Sequence, residues 1–225
     1  MAVSEERFVP AAGRAAFTRL YDPFMALTMR EDRWRPALVA RVAAAVPTNG
    51  TVVDVGAGTG AIALRLAQAR PDVTVVAVDP DTTALDIARD KAGADAVDWR
   101  VGRADDLPLG DDSVDVVVMS LLLHHLVPAL KQAGLRDASR VLRPAGSLVI
   151  ADWGAPRGLV PRAGFALVRM LDGLEGTRDH AAGLLHERVA ASGFSRANTW
   201  KRLPTAWGTL ELLSAEPAPP QLDAG

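Results

Sequence analysis

Residues 51–81, TVVDVGAGTGAIALRLAQARPDVTVVAVDPD, contain the pattern that decides the fold. Two Val-rich runs are separated by a glycine loop and a segment in which apolar residues recur at helical spacing. The alternating glycines of the loop are Gly56, Gly58 and Gly60. Glycines between a strand and a helix allow backbone N–H groups to approach a ligand closely. The stretch therefore predicts a strand, a ligand-binding loop, a helix and a second strand.

The same alternation of apolar runs and helical segments continues along the chain. Further strands are predicted at residues 97–101, 114–120 and 147–153. Continuous Val/Ile runs are typical of parallel strands covered by helices on both faces. Alternating strands and helices then indicate a doubly wound α/β fold. Two runs near the end, FSRANTWKRL and WGTLELLSAE, are predicted to pair as an antiparallel hairpin at the edge of the sheet.

Two segments interrupt this alternation, and they define the predicted organisation. Residues 1–46 mix aromatic, arginine and aliphatic residues in a helical pattern, which predicts an N-terminal helical cap. The α/β domain itself is expected over residues 47–216. Within it, residues 157–193 are predicted to form an insertion with two helical stretches. Residues 217–225 are rich in proline and predict a frayed tail.

Composition limits the classes of function. The chain has 225 residues, a formal net charge of −2 and no cysteine. The charge gives no strong field to recruit nucleic acid, and the lack of cysteine excludes disulfides, thiolate metal sites and cysteine nucleophiles. No apolar run approaches the roughly 20 residues that span a bilayer, and the N-terminus does not resemble a signal peptide. We therefore expect a soluble, cytoplasmic protein that acts on a small molecule, in an oligomeric state that the sequence leaves open.

Two aspartates flank the glycine loop and indicate the kind of ligand. Asp79 ends the second Val-rich run, where a carboxylate can accept hydrogen bonds from two ribose hydroxyls. Asp54 lies before the loop, where it would face the pyrophosphate of a dinucleotide. A carboxylate there suits a cationic ligand better, and S-adenosylmethionine carries a sulfonium and an ammonium group but no phosphate. The aspartates therefore favour S-adenosylmethionine over NAD(P) as the cofactor. Two alternatives remain: an NAD(P)-dependent oxidoreductase and a non-catalytic cofactor-binding module.

Four stretches together carry a family resemblance. VVDVGAGTG and VVAVDPD resemble the first two motifs of class I S-adenosylmethionine-dependent methyltransferases. VGRADDLPLGDDSVDVVVMSLLLHHL and RVLRPAGSLVIADW resemble later motifs of the small-molecule subgroup, which includes quinone-biosynthesis methyltransferases. The resemblance implies a seven-stranded Rossmann-like sheet, mostly parallel, with an antiparallel last strand. It also implies methyl transfer to a small organic acceptor, at oxygen, nitrogen or carbon.

The resemblance further implies which residues bind the cofactor. The glycine loop would lie under its methionine and ribose portion, and Pro80 would pack near its adenine. Family members often carry an acidic or amide residue at the position of Arg103 to hold the adenine amino group, and Asp105 is the candidate to replace it in this chain. The implied cofactor-binding residues are Asp54, Gly56, Ala57, Gly58, Gly60, Asp79, Pro80, Ala104, Asp105, Ser120 and Leu121.

Three residues are candidates for catalysis. His124 and His125 follow the fourth predicted strand, where an imidazole could act as general base or could simply cap the strand end. Adjacent side chains point in opposite directions along an extended chain, and no carboxylate-rich motif accompanies the pair, so no metal site is expected. Tyr21, the only tyrosine, either lines the acceptor pocket or packs within the cap.

Overall fold

The computed structural model describes residues 28–195 and 197–219, which form one seven-stranded sheet in the order β3-β2-β1-β4-β5-β7-β6. The strands are β1 Thr51–Val55, β2 Thr74–Asp79, β3 Val97–Val101, β4 Val114–Ser120, β5 Leu142–Gly154, β6 Asn198–Pro204 and β7 Thr209–Ala215. Strands β1 to β5 pair in parallel, and β7 pairs antiparallel with both β5 and β6. The predicted doubly wound, mostly parallel sheet is confirmed.

Seven α-helices connect or cover these strands in the described part of the chain. They are α1 Glu31–Ala45, α2 Ala63–Ala69, α3 Thr82–Arg89, α4 Pro128–Val141, α5 Leu159–Asp172, α6 Arg178–Ala182 and α7 Leu185–Ala190. Short 3-10 turns occupy Ala94–Ala96 and Leu123–His125. The insertion holds three helices, so the prediction of two is wrong. Gly173 and Gly183 adopt positive φ angles of 97° and 74°, which end α5 and α6 and divide the segment.

The two faces of the sheet are buried under different helices. One face packs against α1, α2 and α5, and the other packs against α4 and α7. Because side chains alternate along a strand, Val53 and Val55 lie on the second face. Asp54, between them, is directed towards α2 on the first face, where it meets the backbone of Ala63.

The N-terminal segment enters the core where it is described. Trp34, Leu38 and Val42 of α1 are almost completely buried against the sheet. Residues 1–27, which include Tyr21, lie outside the described residues. The boundary between cap and domain after residue 46 therefore stays a prediction, while α1 itself is a layer of the α/β domain.

The C-terminal hairpin forms as predicted, with its second strand inside the sheet. Strand β7 pairs with β5 from Leu148↔Ala215 to Gly154↔Thr209, and β6 becomes the outermost strand. All residues of β7 are buried, which explains why this apolar strand takes the inner position. The beginning of β7 thus lies beside the carboxyl end of β5. Among the described residues, no helix is both long and apolar enough to cross a membrane.

Candidate functional site

The loop between β1 and α2 contains three glycines with positive φ angles, at 71°, 52° and 80° for Gly56, Gly58 and Gly60. Two of them are required by packing. A Cβ atom on Gly56 would lie 2.7 Å from the side chain of Leu122, and one on Gly60 would lie 2.4 Å from the Trp99 ring. A Cβ on Gly58 would meet nothing within 4 Å. Gly58 therefore faces open space, where a ligand could approach the backbone.

Asp54 is a buried carboxylate with one oxygen unused. Its side chain is 1% exposed, and Oδ2 accepts the N–H of Ala63 at 3.1 Å. Oδ1 is buried and has no donor among the described residues. Burial raises the pKa of Asp54 to about 7, an effect that the charge of Asp79 adds to and that of Arg35 opposes. Such a group is suited to a cation that supplies the missing partner.

Asp79 holds the glycine loop in place, a role that the sequence did not predict. Its Oδ2 atom accepts the N–H of Gly58 at 2.7 Å, and its Oδ1 atom accepts the N–H of Asp81 at 2.8 Å. The loop is also tied to the end of β2 by N–H donation from Gly56 and Ala57 to the carbonyl of Val78. Burial raises the pKa of Asp79. The carboxylate at the end of β2 and the loop after β1 are therefore one structural unit.

The residues proposed to bind the adenine include an ion-paired aspartate, an exposed proline and an alanine packed against a helix. Arg103 and Asp105 form an ion pair, with Nε of the arginine 2.9 Å from Oδ1 of the aspartate. The carboxylate of Asp105 therefore already has a partner in Arg103. A contact between Asp105 and adenine stays a prediction. Pro80 is exposed beyond β2, and Ala104 packs against α4 at Gly134.

The end of β4 lies next to the glycine loop. Leu121 adopts a φ angle of 51°, in the left-handed region that residues other than glycine rarely adopt. Its N–H donates to the carbonyl of Ala151. Backbone strain of this kind costs about 1–3 kcal/mol and is concentrated at functional sites. Leu122 then contacts Gly56 of the loop. The structure thus brings Ser120 and Leu121 to the same edge as the loop, and their contact with the cofactor stays a prediction.

The histidine pair does not lie in extended chain. His124 and His125 belong to the 3-10 turn, and their ring centroids are 4.0 Å apart. The expectation that the two side chains point in opposite directions is therefore wrong, because neighbours in a 3-10 turn are about 120° apart around its axis instead of about 180°. His124 Nδ1 lies 2.7 Å from Asp152 Oδ1, and its Nε2 lies 3.7 Å from Asp172 Oδ2.

Asp152, the buried partner of His124, makes several hydrogen bonds at the 3-10 turn. Its Oδ2 atom accepts the N–H of Leu123, and its Oδ1 atom accepts the N–H of Trp153 as well as facing His124. Burial alone would raise the pKa of Asp152, but His124 and His180 outweigh it and hold that pKa well below its usual range. Sequence reasoning missed Asp152, although a carboxylate in the apolar run VIADW is the same kind of anomaly as Asp54.

A cavity of about 140 Å³ adjoins the cluster at the carboxyl end of β5. His180, His186 and the ion pair of Arg202 with Glu211 contribute to its walls. His180 Nδ1 lies 2.6 Å from the carbonyl oxygen of Trp153, so this nitrogen carries the hydrogen and Nε2 is the acceptor. Nε2 is buried and has no partner in the described part of the chain. Nε2 of His180 is thus an acceptor without a donor, buried in the wall of the cavity.

Comparison with known proteins agrees with these observations. Residues 52–146 match the family model described as a methyltransferase domain. The chain is 30% identical over 129 residues to the ubiquinone/menaquinone biosynthesis C-methyltransferase of Geotalea daltonii, covering 55% of this chain and 53% of that protein. It is 37% identical over 139 residues to demethylmenaquinone methyltransferase of Clavibacter sepedonicus, covering 61% and 54% respectively. The chain spans about half the length of these curated relatives.

Solved structures share the fold at low sequence identity. The YcgJ protein from Bacillus subtilis superposes with a TM-score of 0.66 at 18% identity, over 81% of this chain and 99% of that one. Phosphoethanolamine N-methyltransferase 2 of Haemonchus contortus, solved with S-adenosylhomocysteine, gives a TM-score of 0.62 at 15% identity, over 82% and 53%. Both likenesses concern the architecture of the sheet and its helices.

Proposed function

We propose that the chain is a class I methyltransferase that transfers a methyl group from S-adenosylmethionine to a small organic acceptor, since residues 52–146 match the model of a methyltransferase domain. The observation that carries this proposal is the unpartnered, buried Oδ1 atom of Asp54 behind the glycine loop. A carboxylate at that position attracts the cationic methionine portion and repels a pyrophosphate. Gly58, open to solvent, gives the ligand access to the loop backbone.

The chain's own residues would hold the cofactor along the carboxyl ends of β1, β2 and β4. Asp54 would bind the ammonium group, directly or through water. Asp79 would accept the ribose hydroxyls while it keeps the N–H of Gly58, since each carboxylate oxygen can accept more than one hydrogen bond. Ser120 and Leu121 would line the methionine end. When bound, the cofactor supplies a methyl group on a sulfonium.

In the reaction, a lone pair or carbanion of the acceptor attacks the methyl carbon while the bond from that carbon to sulfur breaks. The acceptor would thereby gain the methyl group and leave a neutral thioether behind, and its proton would pass to a base or to water. The enzyme mainly contributes proximity, alignment and the exclusion of water. This one-step displacement has no charged intermediate to stabilise, so a catalytic triad is not required.

We propose a reduced quinone or another phenol-like compound as the acceptor class. The curated relatives named above act in quinone biosynthesis. The cavity of about 140 Å³ beside β5 supports this choice, because a cavity of roughly 150 Å³ accommodates one benzene ring. Nε2 of His180 is buried, and it would accept the hydroxyl hydrogen of such a ring once a side-chain rotation turns it into the cavity. The net charge of −2 gives no strong field to attract nucleic acid, so we propose no nucleic-acid partner. We also propose a cytoplasmic location, with which a chain without cysteine is compatible.

Two other functions remain distinguishable from this one. An NAD(P)-dependent oxidoreductase would place pyrophosphate beside Asp54, at a Coulomb cost that grows as the site is desolvated. A non-catalytic cofactor-binding module would bind S-adenosylhomocysteine without turnover. The oxidoreductase would differ from the proposed methyltransferase in the ligand that it binds. The binding module would differ from it in transferring no methyl group.

Transfer of label from methyl-tritiated S-adenosylmethionine tests the proposal. The untruncated protein is incubated with a reduced naphthoquinone, a catechol and a primary amine in separate reactions, and label is counted in the extracted product. We expect label in at least one quinol or phenol reaction and its loss in Asp54→Asn. Asp86→Ala, which alters an exposed ion pair on α3, is the matched control that should keep activity. Binding of S-adenosylhomocysteine without any transfer would favour the binding module instead.

A further inference from the structure

His124, His125 and Asp172 converge on one point at the 3-10 turn that follows β4. A nitrogen or oxygen atom from each residue lies within 4.8 Å of the other two. His124 Nε2 lies 3.7 Å from Asp172 Oδ2. Ligands bound to one zinc ion at about 2.0–2.2 Å stand about 3.3–3.5 Å apart in a tetrahedron. Small side-chain movements would therefore bring the three atoms to coordination distance.

The hydrogen bond between His124 and Asp152 prepares one ligand. Asp152 is buried, and its carboxylate faces Nδ1 of His124 at 2.7 Å. If Nδ1 donates its hydrogen to Asp152, Nε2 carries a lone pair that faces the carboxylate of Asp172. Two electron-pair donors then face each other, and a proton, a metal ion or a water molecule that donates to both would relieve the repulsion. A carboxylate that orients the far nitrogen of a histidine is the usual second partner of a metal-binding histidine.

The two sides of the cluster are held by tertiary contacts. Gly176, which follows α5, packs so tightly on the 3-10 turn that a Cβ atom there would lie 2.4 Å from the carbonyl oxygen of His124. The buried ammonium of Lys131 donates to the carbonyl of Gly176 at 2.9 Å. The segment after α5 is thus fixed beside the histidines. His125 is exposed, which leaves a path from solvent to the cluster.

We infer that His124, His125 and Asp172 bind one divalent first-row transition ion of the zinc type. Two imidazoles and one carboxylate suit this class of ion, whereas Mg²⁺ and Ca²⁺ prefer oxygen ligands. Three protein ligands leave a coordination position open, as in catalytic zinc sites. If the proposed function holds, that position would take the ionised oxygen of the acceptor.

Cobalt titration tests the inference on untagged, full-length protein that has been treated with a chelator. Co²⁺ reports its own coordination through visible absorption bands, and Zn²⁺ should displace it. We expect one ion per chain. His125→Ala and Asp172→Asn should each weaken Co²⁺ binding by at least about tenfold, and Asp152→Asn by about 10–100-fold, the range found when the partner of a metal-binding histidine is lost. His186→Ala, a histidine outside the cluster that bonds to Thr199, is the control that should leave binding unchanged.

Binding of S-adenosylhomocysteine to the same preparations separates this inference from the proposed function. His125 is exposed, so His125→Ala should fold normally and is the deciding variant. The metal site would be overturned if His125→Ala and His186→Ala affected Co²⁺ binding equally. It would also be overturned if the protein bound less than one ion per chain. Chelator-treated protein that still binds S-adenosylhomocysteine leaves the cofactor site standing in that case. Loss of S-adenosylhomocysteine binding with Co²⁺ binding retained would instead overturn the cofactor site and leave the metal site standing.

Discussion

The Oδ2 atom of Asp79 accepts the backbone N–H of Gly58 at 2.7 Å, so the carboxylate that ends β2 holds the loop that follows β1. These two residues are 21 positions apart in the chain. Their contact places the glycine that faces open space next to the carboxylate proposed to bind ribose. Loop shape and ligand binding therefore depend on the same side chain.

Replacement of Asp79 by alanine should weaken the binding of S-adenosylhomocysteine strongly while the fold remains. Loss of two charge-assisted hydrogen bonds to ribose, each contributing about 1.5–3 kcal/mol, corresponds to at least about a 100-fold fall in affinity. Isothermal titration measures this fall, and circular dichroism checks the fold. Asp86→Ala serves as the control, because its ion pair with Arg89 lies on the surface. An affinity of Asp79→Ala within twofold of wild type would refute the ribose role.

Gly58→Ala and Gly60→Ala should have opposite consequences. Both place alanine at a positive φ, which costs about 1–2 kcal/mol. Only at Gly60 does the new methyl group meet the Trp99 ring, which adds about 1–3 kcal/mol of overpacking. Thermal unfolding should therefore show the larger loss of stability for Gly60→Ala. Titration with S-adenosylhomocysteine should show the larger loss of affinity per folded molecule for Gly58→Ala. Equal affinity of Gly58→Ala and wild type would mean that no ligand approaches this glycine.

Ligand affinity should depend on pH through Asp54. In the free protein burial raises the pKa of this carboxyl to about 7, so below that pH it is mostly neutral and cannot attract an ammonium group. Affinity for S-adenosylhomocysteine should be highest above about pH 7 and fall as the pH decreases, by at most about tenfold per pH unit. Titrations of wild type and Asp54→Asn between about pH 5.5 and 8 test this.

The variant and a second ligand provide the controls for this pH dependence. Asp54→Asn should bind about 10–100-fold more weakly above neutral pH and show a nearly flat profile. Adenosine has no methionine portion, so its affinity for wild type should vary little over the same range. A flat wild-type profile with S-adenosylhomocysteine would show that Asp54 does not sense the bound cation.

The sequence predicted the parts of the structure that depend on local pattern. The strands β3 and β4 begin and end where their Val-rich runs do, and Asp81 caps α3 by accepting the N–H groups of Thr83 and Ala84. The glycine loop and its two aspartates were also identified. The positive φ angle of Leu121 was not, because it reflects packing at the end of β4.

The histidine cluster was not predictable from local pattern. His124 and Asp152 are 28 residues apart, and they meet only because β4 and β5 are neighbours in the sheet. Asp172 arrives from the insertion, whose division into three helices is set by Gly173 and Gly183. The extended conformation assumed for the histidine pair led to the wrong side-chain directions.

The choice of cofactor tests the central claim most directly. A ligand that binds only the native state, at 100 times its dissociation constant, stabilises the protein by about 2.7 kcal/mol. For a domain of this size that corresponds to a rise in melting temperature of about 5–10 °C. We predict this rise with S-adenosylmethionine or S-adenosylhomocysteine and no rise with NAD or NADP, because Asp54 favours a cation and disfavours a pyrophosphate. A rise with NAD or NADP, and none with S-adenosylmethionine or S-adenosylhomocysteine, would contradict the account.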